Sequence, residues 1–170
     1  MAVSAFDSPL LGGLVGDEEI AAVLSAETEL LTMLAFEIAL AEAEAAAGVI
    51  PEEAAEAIRE RLSGFSPGVE RIAEGVARDG VAAPAFVRQL RERVGEPHGR
   101  WVHHGATSQD LADSTLMVRL RIVAGMVEGR MEGLVTRFAH LAEAFGRNRL
   151  MGRTRMQAAL AVDAARKIFS

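Results

Sequence analysis

The segment from Gln109 to Asn148 restricts the possible folds of this chain more than any other. It contains no proline over forty residues, and its apolar residues recur at three- and four-residue steps, the spacing of one face of an α-helix. These residues are Leu116, Leu120, Val123, Val127, Met131, Leu134, Phe138, Leu141 and Phe145. Such a helix is about 60 Å long, whereas a compact chain of this length has a radius of gyration of about 15 Å. The sequence therefore predicts that other long helices cover it, either from copies of the chain or from a continuation of it.

A second face of the same predicted helix carries glycines at a spacing of four residues. Gly125, Gly129 and Gly133 follow Leu111, Thr115, Val118 and Ile122 on this face. Each glycine inside a helix costs about 1 kcal/mol relative to alanine, so three on one face indicate a compensating contact. Close approach of a neighbouring helix is one explanation, and a kink in the helix is the other.

The residues before this segment also predict helices. Asp17 and Ser25 are placed as N-caps, and Gly48 is placed to end the second of these helices. The stripe between Ser25 and Gly48 consists of Leu31, Leu34, Ile38, Ala41 and Ala45.

Further helices are expected to begin at Pro51 and at Ser66-Pro67, the latter ending at Gly80. Another is expected from Pro84 to Val94, with Phe86, Val87, Leu90 and Val94 on its apolar face. Residues 95–108 are rich in glycine and histidine and predict a loop.

Beyond Asn148 we expect a short link near Gly152 and then the start of another helix, apolar through Leu160, Val162 and Ile168. The chain stops partway into this predicted helix, which is typical of a truncated sequence. No segment alternates with a period of two residues, so strand content near zero is expected. The predicted fold class is all-α.

Composition and charge exclude several classes of function. The chain has no cysteine, which rules out disulfides and thiolate metal sites. The N-terminus lacks the basic segment of a signal peptide, and Glu37, Glu42 and Glu44 interrupt the most apolar region. We therefore expect no membrane span and a cytoplasmic protein.

The net charge of −6 argues against general nucleic-acid binding. Its distribution is uneven: residues 1–100 hold 8 basic and 18 acidic side chains (−10), and residues 101–170 hold 10 basic and 6 acidic ones (+4). Either the first segment has a solvated acidic surface beside a neutral bundle, or the second segment binds an anion.

The residues from His103 to Asp110 form the first candidate site, directly before the long helix. A helix start offers unpaired N–H groups and partial positive charge to an anion. Thr107 and Ser108 add hydroxyl donors, and Gly105 allows close approach of a ligand to the backbone. The alternative is plain helix capping by Thr107 or Ser108.

His103 and His104 are adjacent, so their side chains are expected to diverge. No further residues at suitable spacing complete a metal site, and none is predicted. A proton-transfer role for one of the two histidines fits the near-neutral titration of imidazole.

The second candidate site is Gly152-Arg153-Thr154-Arg155-Met156-Gln157. Guanidinium groups of Arg153 and Arg155 suit carboxylates, and Thr154 and Gln157 add neutral hydrogen bonds. The alternative is a salt-bridged end of a helical bundle.

Together these segments resemble the fumarase/aspartase superfamily. Its Gly-x-Thr-Ser-x-Asp turn matches residues 105–110, its Thr-x-x-Gln turn, which opens a helix, matches residues 154–157, and Trp101-Val102-His103 also agrees. The resemblance covers essentially the whole chain. It implies an N-terminal helical domain over residues 1–104 and the start of a central helical bundle over residues 105–170.

Within the superfamily, the chain most resembles the 3-carboxy-cis,cis-muconate cycloisomerases. Three stretches carry this resemblance: residues 8–14 (SPLLGGL), residues 105–110 (GATSQD) and Gly152-Arg153-Thr154. Adenylosuccinate lyase is the nearest alternative, but it usually has a Thr-x-His-Asp stretch where this chain reads VAAPA at residues 81–85. A non-catalytic helical assembly module is a third interpretation.

The resemblance implies cofactor-free, metal-free chemistry on a small polycarboxylate. By this resemblance, His103 and Ser108 are the catalytic candidates, with His103 in contact with substrate or handling a proton. The resemblance assigns substrate binding to Thr107, Ser108 and Gln109. It also assigns it to Arg153, Thr154 and Gln157 of a neighbouring subunit. The resemblance also implies a homotetramer with a core of long helices, each site being built by three chains.

Three departures from the family pattern bear on function. Position 104 is usually aromatic in relatives and is His104 here. Many lyases carry histidine where this chain has Arg155, although the cycloisomerases tend to lack it. The third signature, a Gly-Ser-Ser-x-Met-Pro loop with the catalytic serine, is missing, because the chain contains no Ser-Ser pair. The chain by itself is therefore expected to be inactive.

Overall fold

The structure is a computed structural model that describes residues 4–6 and 8–169. Its helices are α1 (Gly12–Val15), α2 (Glu18–Val23), α3 (Ala26–Ala46), α4 (Glu52–Leu62), α5 (Val69–Asp79), α6 (Ala83–Val94), α7 (Ser108–Phe145) and α8 (Ala164–Ile168). A 3-10 turn spans Gly99–Trp101, and strands β1 (Arg149–Arg153) and β2 (Ala158–Asp163) follow α7. The predicted all-α class is confirmed, with one small sheet as an exception.

Several helix ends follow directly from local sequence. The carboxylate of Asp17 accepts from the backbone N–H of Ile20 at 3.1 Å, and the hydroxyl of Ser25 accepts from Thr28 N–H at 3.2 Å. Both predicted N-caps are thus confirmed. Gly48 and Gly80 end α3 and α5 with φ of 71° and 77°, a conformation that glycine adopts without steric penalty. Pro51 is the residue before α4 rather than its first residue.

Contacts divide the chain into two units, residues 1–123 and 124–170. In the first unit, α3 packs on α4, and α6 contacts both α4 and α5. The core consists mainly of aliphatic side chains around the fully buried Phe86. The predicted apolar face of α6 is confirmed, since Phe86, Val87, Leu90 and Val94 are all buried. The predicted domain boundary at residues 104/105 stays a prediction.

The buried row of α3 differs from the predicted one. Leu34 and Ala41 are buried as expected, but Leu31 is 54% exposed and Leu30 is buried in its place. The row also contains a carboxylate, Glu37, at 1% exposure. The sequence pattern was read from apolar residues alone, so a row that contains a buried acid was not recognised. The adjacent row, which includes Leu31, was predicted instead.

Gln89 fixes the start of α5 against α6. Its amide accepts from the backbone N–H of Gly68 at 2.8 Å and donates to the carbonyl of the same residue at 3.1 Å. Helix α5 therefore begins after Gly68, two residues later than the Ser66-Pro67 signal predicted.

The second unit contains the remainder of α7, the β-hairpin and α8. The strands are antiparallel, with Arg149 opposite Asp163 and Leu150 opposite Val162, and an irregularity lies between Met151 and Arg153. The prediction of a helix over this region, and of near-zero strand content, is wrong here. Residues 158–162 are a short, continuous apolar run, and periodicity cannot distinguish a strand from a helix in such a run.

The long helix is confirmed as one continuous element of 38 residues. Its predicted stripe is largely uncovered in the chain; Leu116, Leu134, Phe138 and Phe145, for example, are 39–52% exposed. A Cβ placed on Gly125, Gly129 or Gly133 would meet nothing within 4 Å. Among the described helices, none combines the length and the apolar character that a membrane span requires.

Candidate active site

The turn between α6 and α7 places the first group of candidate residues. Val102 is buried, and its carbonyl accepts from Nε and Nη2 of Arg91 at 3.3 and 3.0 Å. His103 then adopts φ of 59° and Gly105 φ of 69°. A left-handed conformation is uncommon for a residue other than glycine and costs about 1–3 kcal/mol, which is supported only where surrounding contacts hold it.

His103 is one partner in a buried ion-pair geometry. Its Nδ1 lies 2.6 Å from Oε1 of Glu37, and the two side chains are 13% and 0% exposed. The other carboxylate oxygen of Glu37 is buried without a hydrogen-bond partner in the described residues. Charged hydrogen bonds of this length are the stronger class in proteins, so Glu37 fixes the orientation of the imidazole.

His104 and His103 have different neighbours in the structure. Its ring meets Trp101 edge-on, with centroids 5.1 Å apart. Glu44 of α3 lies near by, and burial raises the pKa of its carboxyl above the usual value, an effect that His104 partly offsets. The described residues contain no cluster of three or more potential metal-ligating His, Cys, Asp or Glu side chains.

We expect Glu44→Gln to raise the thermal unfolding temperature at pH 7. A carboxyl with a raised pKa in the folded state favours protonation there, so the folded protein loses stability as pH rises past the ordinary value of 4.5. The difference in unfolding temperature between the variant and the parent protein should become smaller below pH 4.5. Thermal melts followed by circular dichroism at several pH values measure it. Glu42→Gln, at an exposed position on the same helix, is the control and should show no such trend; a gain that persists at low pH contradicts the explanation.

Thr107 and Asp110 form a reciprocal cap at the start of α7. The backbone N–H and the hydroxyl of Thr107 both donate to Oδ2 of Asp110 at 2.8 Å, and Asp110 N–H donates back to the hydroxyl at 3.3 Å. The hydrogen bonds from Thr107, first from its backbone and then from its side chain, hold the pKa of Asp110 below its usual 3.8. The capping alternative therefore describes Thr107 in this structure.

Ser108 and His103 line one open pocket of about 390 Å³ in the first unit. The other lining residues are Ala83, Pro84, Val87, Arg88 and Arg91 from α6. Arg88 is exposed, and no hydrogen bond or close ion pair engages its guanidinium among the described residues. Its positive charge also acts on Asp79 of α5, whose pKa is held below the usual value first by the hydrogen bond from Arg78 and to a smaller extent by Arg88. Two guanidinium groups, an imidazole and a hydroxyl beside a helix start are suited to an anion.

Gln109 does not line this pocket; its amide donates to Oδ1 of Asp113 at 2.6 Å. Sequence reasoning missed Arg88 and Glu37. Arg88 follows Pro84 by four residues on the predicted helix, so its position beside Pro84 could have been inferred. The signal for Glu37 was its place inside an otherwise apolar segment.

The second group of candidates lies on the β-hairpin of the second unit. Thr154 N–H donates to the carbonyl of Gln157 at 2.9 Å, and Gln157 N–H donates to the Thr154 hydroxyl at 3.2 Å. The side chains of Arg153, Thr154 and Gln157 are exposed. The expectation that this turn opens a helix is wrong in this structure, because it joins β1 to β2. The threonine hydroxyl nevertheless accepts from the N–H three residues later, as an N-cap does.

Comparisons with known proteins agree with the sequence motifs. A family model described as "Lyase" matches residues 17–170. The 3-carboxy-cis,cis-muconate cycloisomerase of Bradyrhizobium diazoefficiens is 34% identical over 156 residues, which are 90% of this chain and 35% of that protein. The adenylosuccinate lyase of Pyrococcus abyssi is 36% identical over 145 residues, 85% of this chain and 32% of that protein.

Among solved structures, 3-carboxy-cis,cis-muconate lactonizing enzyme from Pseudomonas putida matches with a TM-score of 0.85 and 31% identity. The match covers 95% of this chain and 37% of that one. The chain thus spans about a third of the length of the relatives it matches. Since the family model covers most of the sequence, the chain belongs to this lyase family, within the fumarase/aspartase superfamily.

Proposed function

We propose that the chain is part of a 3-carboxy-cis,cis-muconate cycloisomerase, an enzyme that forms carboxymuconolactone in protocatechuate catabolism without a cofactor. The single observation that carries the proposal is the pocket whose lining includes His103, Ser108, Arg88 and Arg91. Family membership and the relatives named as cycloisomerases support it.

The reaction adds a carboxylate oxygen of the substrate to its own double bond. A C–O bond forms, the π bond breaks, and the adjacent carbon takes up one proton. Charge builds up beside a second carboxylate during this step, so preorganised donors around that group lower the barrier. Ser108, the start of α7 and Arg88 are suited to hold this carboxylate, and His103 to handle the proton.

We further propose that Thr107 and Gln109 contribute to substrate binding after exchanging their present partners within α7 for the substrate. Arg153, Thr154 and Gln157 are proposed to line the anion pocket from another copy of the chain. The exposed apolar stripe of α7 supports a homo-oligomer, and a tetramer is the form we propose. A cytoplasmic location remains part of the same proposal.

Trp101 provides a direct test of ligand binding. It is the only tryptophan, it contacts His104, and the guanidinium of Arg100 lies 4.9 Å from its ring. We expect titration with 3-carboxy-cis,cis-muconate to change its fluorescence saturably. Failure to bind the compound contradicts the proposal.

Arg88→Ala is expected to weaken that binding about 10- to 100-fold, because a hydrogen bond to a charged group contributes about 1.5–3 kcal/mol. Arg93→Ala is the matched control. Arg93 lies on the same helix, but its side chain contacts Phe65 and the carbonyl of Arg61 and does not line the pocket. Equal losses of affinity in both variants would show that Arg88 has no direct role.

Adenylosuccinate lyase activity is the second candidate function. The observation in its favour is the 36% identity to the Pyrococcus abyssi enzyme. Against it, residues 81–85 read VAAPA and lack the histidine expected of that lyase. Parallel assays with 3-carboxymuconate and adenylosuccinate separate the two, since turnover of adenylosuccinate alone refutes the cycloisomerase proposal.

A further inference from the structure

We propose that Glu37 is a positioning residue that keeps a proton on Nδ1 of His103 and so presents Nε2 to the pocket. The proposal rests on the proposed function, because it names the proton-handling atom of the same site. Glu37 is a buried acid on α3, and none of the sequence motifs described above includes it.

The argument begins with the burial of Glu37. An ionised carboxylate can only accept hydrogen bonds, and its burial is costly unless it is paired. Oε1 has Nδ1 of His103 at 2.6 Å, while Oε2 is buried without a partner in the described residues. His103 is therefore the hydrogen-bond partner of this carboxylate among the described residues, and with Glu37 ionised Nδ1 is the donor.

The backbone of the turn supports the same arrangement. His103 has φ of 59°, and Arg91 holds the preceding carbonyl of Val102. This local conformation places one ring nitrogen against Glu37, while the same residue also lines the pocket beside Ser108. The hydrogen bond of the His103 ring to a described residue is made through Nδ1, so Nε2 is the nitrogen left for a ligand.

The consequence for the reaction concerns which nitrogen moves a proton. With Nδ1 protonated, Nε2 accepts a proton from solvent and the Glu37 carboxylate balances the positive charge on the ring, as the acid of a Ser-His-Asp triad does. During ring closure the Nε2–H bond breaks and a C–H bond forms on the substrate. The imidazole returns to its neutral form with Nδ1 still protonated.

The test is nitrogen NMR of the chain with ¹⁵N-labelled histidine rings, with His103 assigned from His103→Gln. In its neutral form we expect Nδ1 to be protonated and Nε2 unprotonated. Glu37→Leu removes the acceptor, so the Nε2 resonance should shift to its protonated position. In Glu37→Gln the tautomer with the proton on Nε2 should become more populated than in the parent protein. Glu44→Gln removes a carboxylate on the same helix whose charge also acts on His103 but which does not hydrogen-bond it, and should leave the tautomer of His103 unchanged.

A neutral His103 with its proton on Nε2 in the unmodified protein overturns the proposal, even where the Glu37 variants fail to fold. An unchanged tautomer in folded Glu37→Leu overturns it as well. The Trp101 titration separates this failure from that of the proposed function. A protein that binds 3-carboxymuconate but carries the proton on Nε2 refutes only the role of Glu37, whereas the expected tautomer without binding refutes the cycloisomerase.

Discussion

Leu134→Glu and Phe138→Glu, made separately, are each expected to convert the proposed homo-oligomer into single chains. The two side chains belong to the apolar stripe of α7 and are 45% and 44% exposed in the chain. Burying a leucine or phenylalanine fully stabilises by about 1.5–3 kcal/mol. In a symmetric assembly each substitution recurs in every copy. Each also places a carboxylate in the interface that we propose, where water would be excluded, so the expected combined effect is large.

Light scattering coupled to size-exclusion chromatography measures the outcome. Ala139→Glu is the control, since it adds the same charge next to Phe138 at an exposed position on another side of α7. It should leave the assembly intact. A parent protein that runs as a single, well-folded chain at micromolar concentration contradicts the proposed oligomer, and dissociation by Ala139→Glu shows that charge alone is responsible.

The elements that the sequence predicted well are those governed by local physics. Asp17 and Ser25 cap helices because their side-chain oxygens reach N–H groups three residues ahead. The long helix follows from a period sustained over forty residues without proline. Neither signal depends on distant parts of the chain.

The errors arose where a contact distant in sequence decides the structure. Glu37 is buried because His103, 66 residues away, lies against it, and no local pattern reveals such a pair. The β-hairpin was missed because its strands stabilise each other through backbone pairing between Arg149–Arg153 and Ala158–Asp163. A short apolar run carries no information on that partner.

In the candidate site, too, the residues in local motifs could be predicted from the sequence, whereas those brought in by tertiary contacts could not. The motif residues His103 and Ser108 line a common pocket, which sequence reasoning could suggest only through family resemblance. Arg88 joins them from α6 because the turn at residues 95–107 places the start of α7 beside the α6 residues that line the pocket. The geometry of that turn depends on tertiary contacts, such as the one between Arg91 and the carbonyl of Val102.

Gly75→Ala should lower the stability of the first unit by about 1–3 kcal/mol, the usual range for overpacking a core. Gly75 is buried within α5, and a Cβ placed on it would lie 2.3 Å from the Cβ of Ala85 on α6. The neighbouring atom is attached directly to the backbone of another helix, so it cannot rotate away. Relief of the overlap requires α5 and α6 to separate.

Helix propensity predicts the opposite sign, which makes this substitution informative. Alanine is favoured over glycine inside a helix by about 1 kcal/mol, so a position governed by propensity would gain stability. Ala73→Gly, at an exposed position on the same helix, is the matched control and should lose about that amount. Urea unfolding followed by circular dichroism measures both. A stabilised Gly75→Ala variant would mean that α5 and α6 are further apart than the 2.3 Å approach implies, whereas losses in both variants, larger at Gly75, follow from close helix packing.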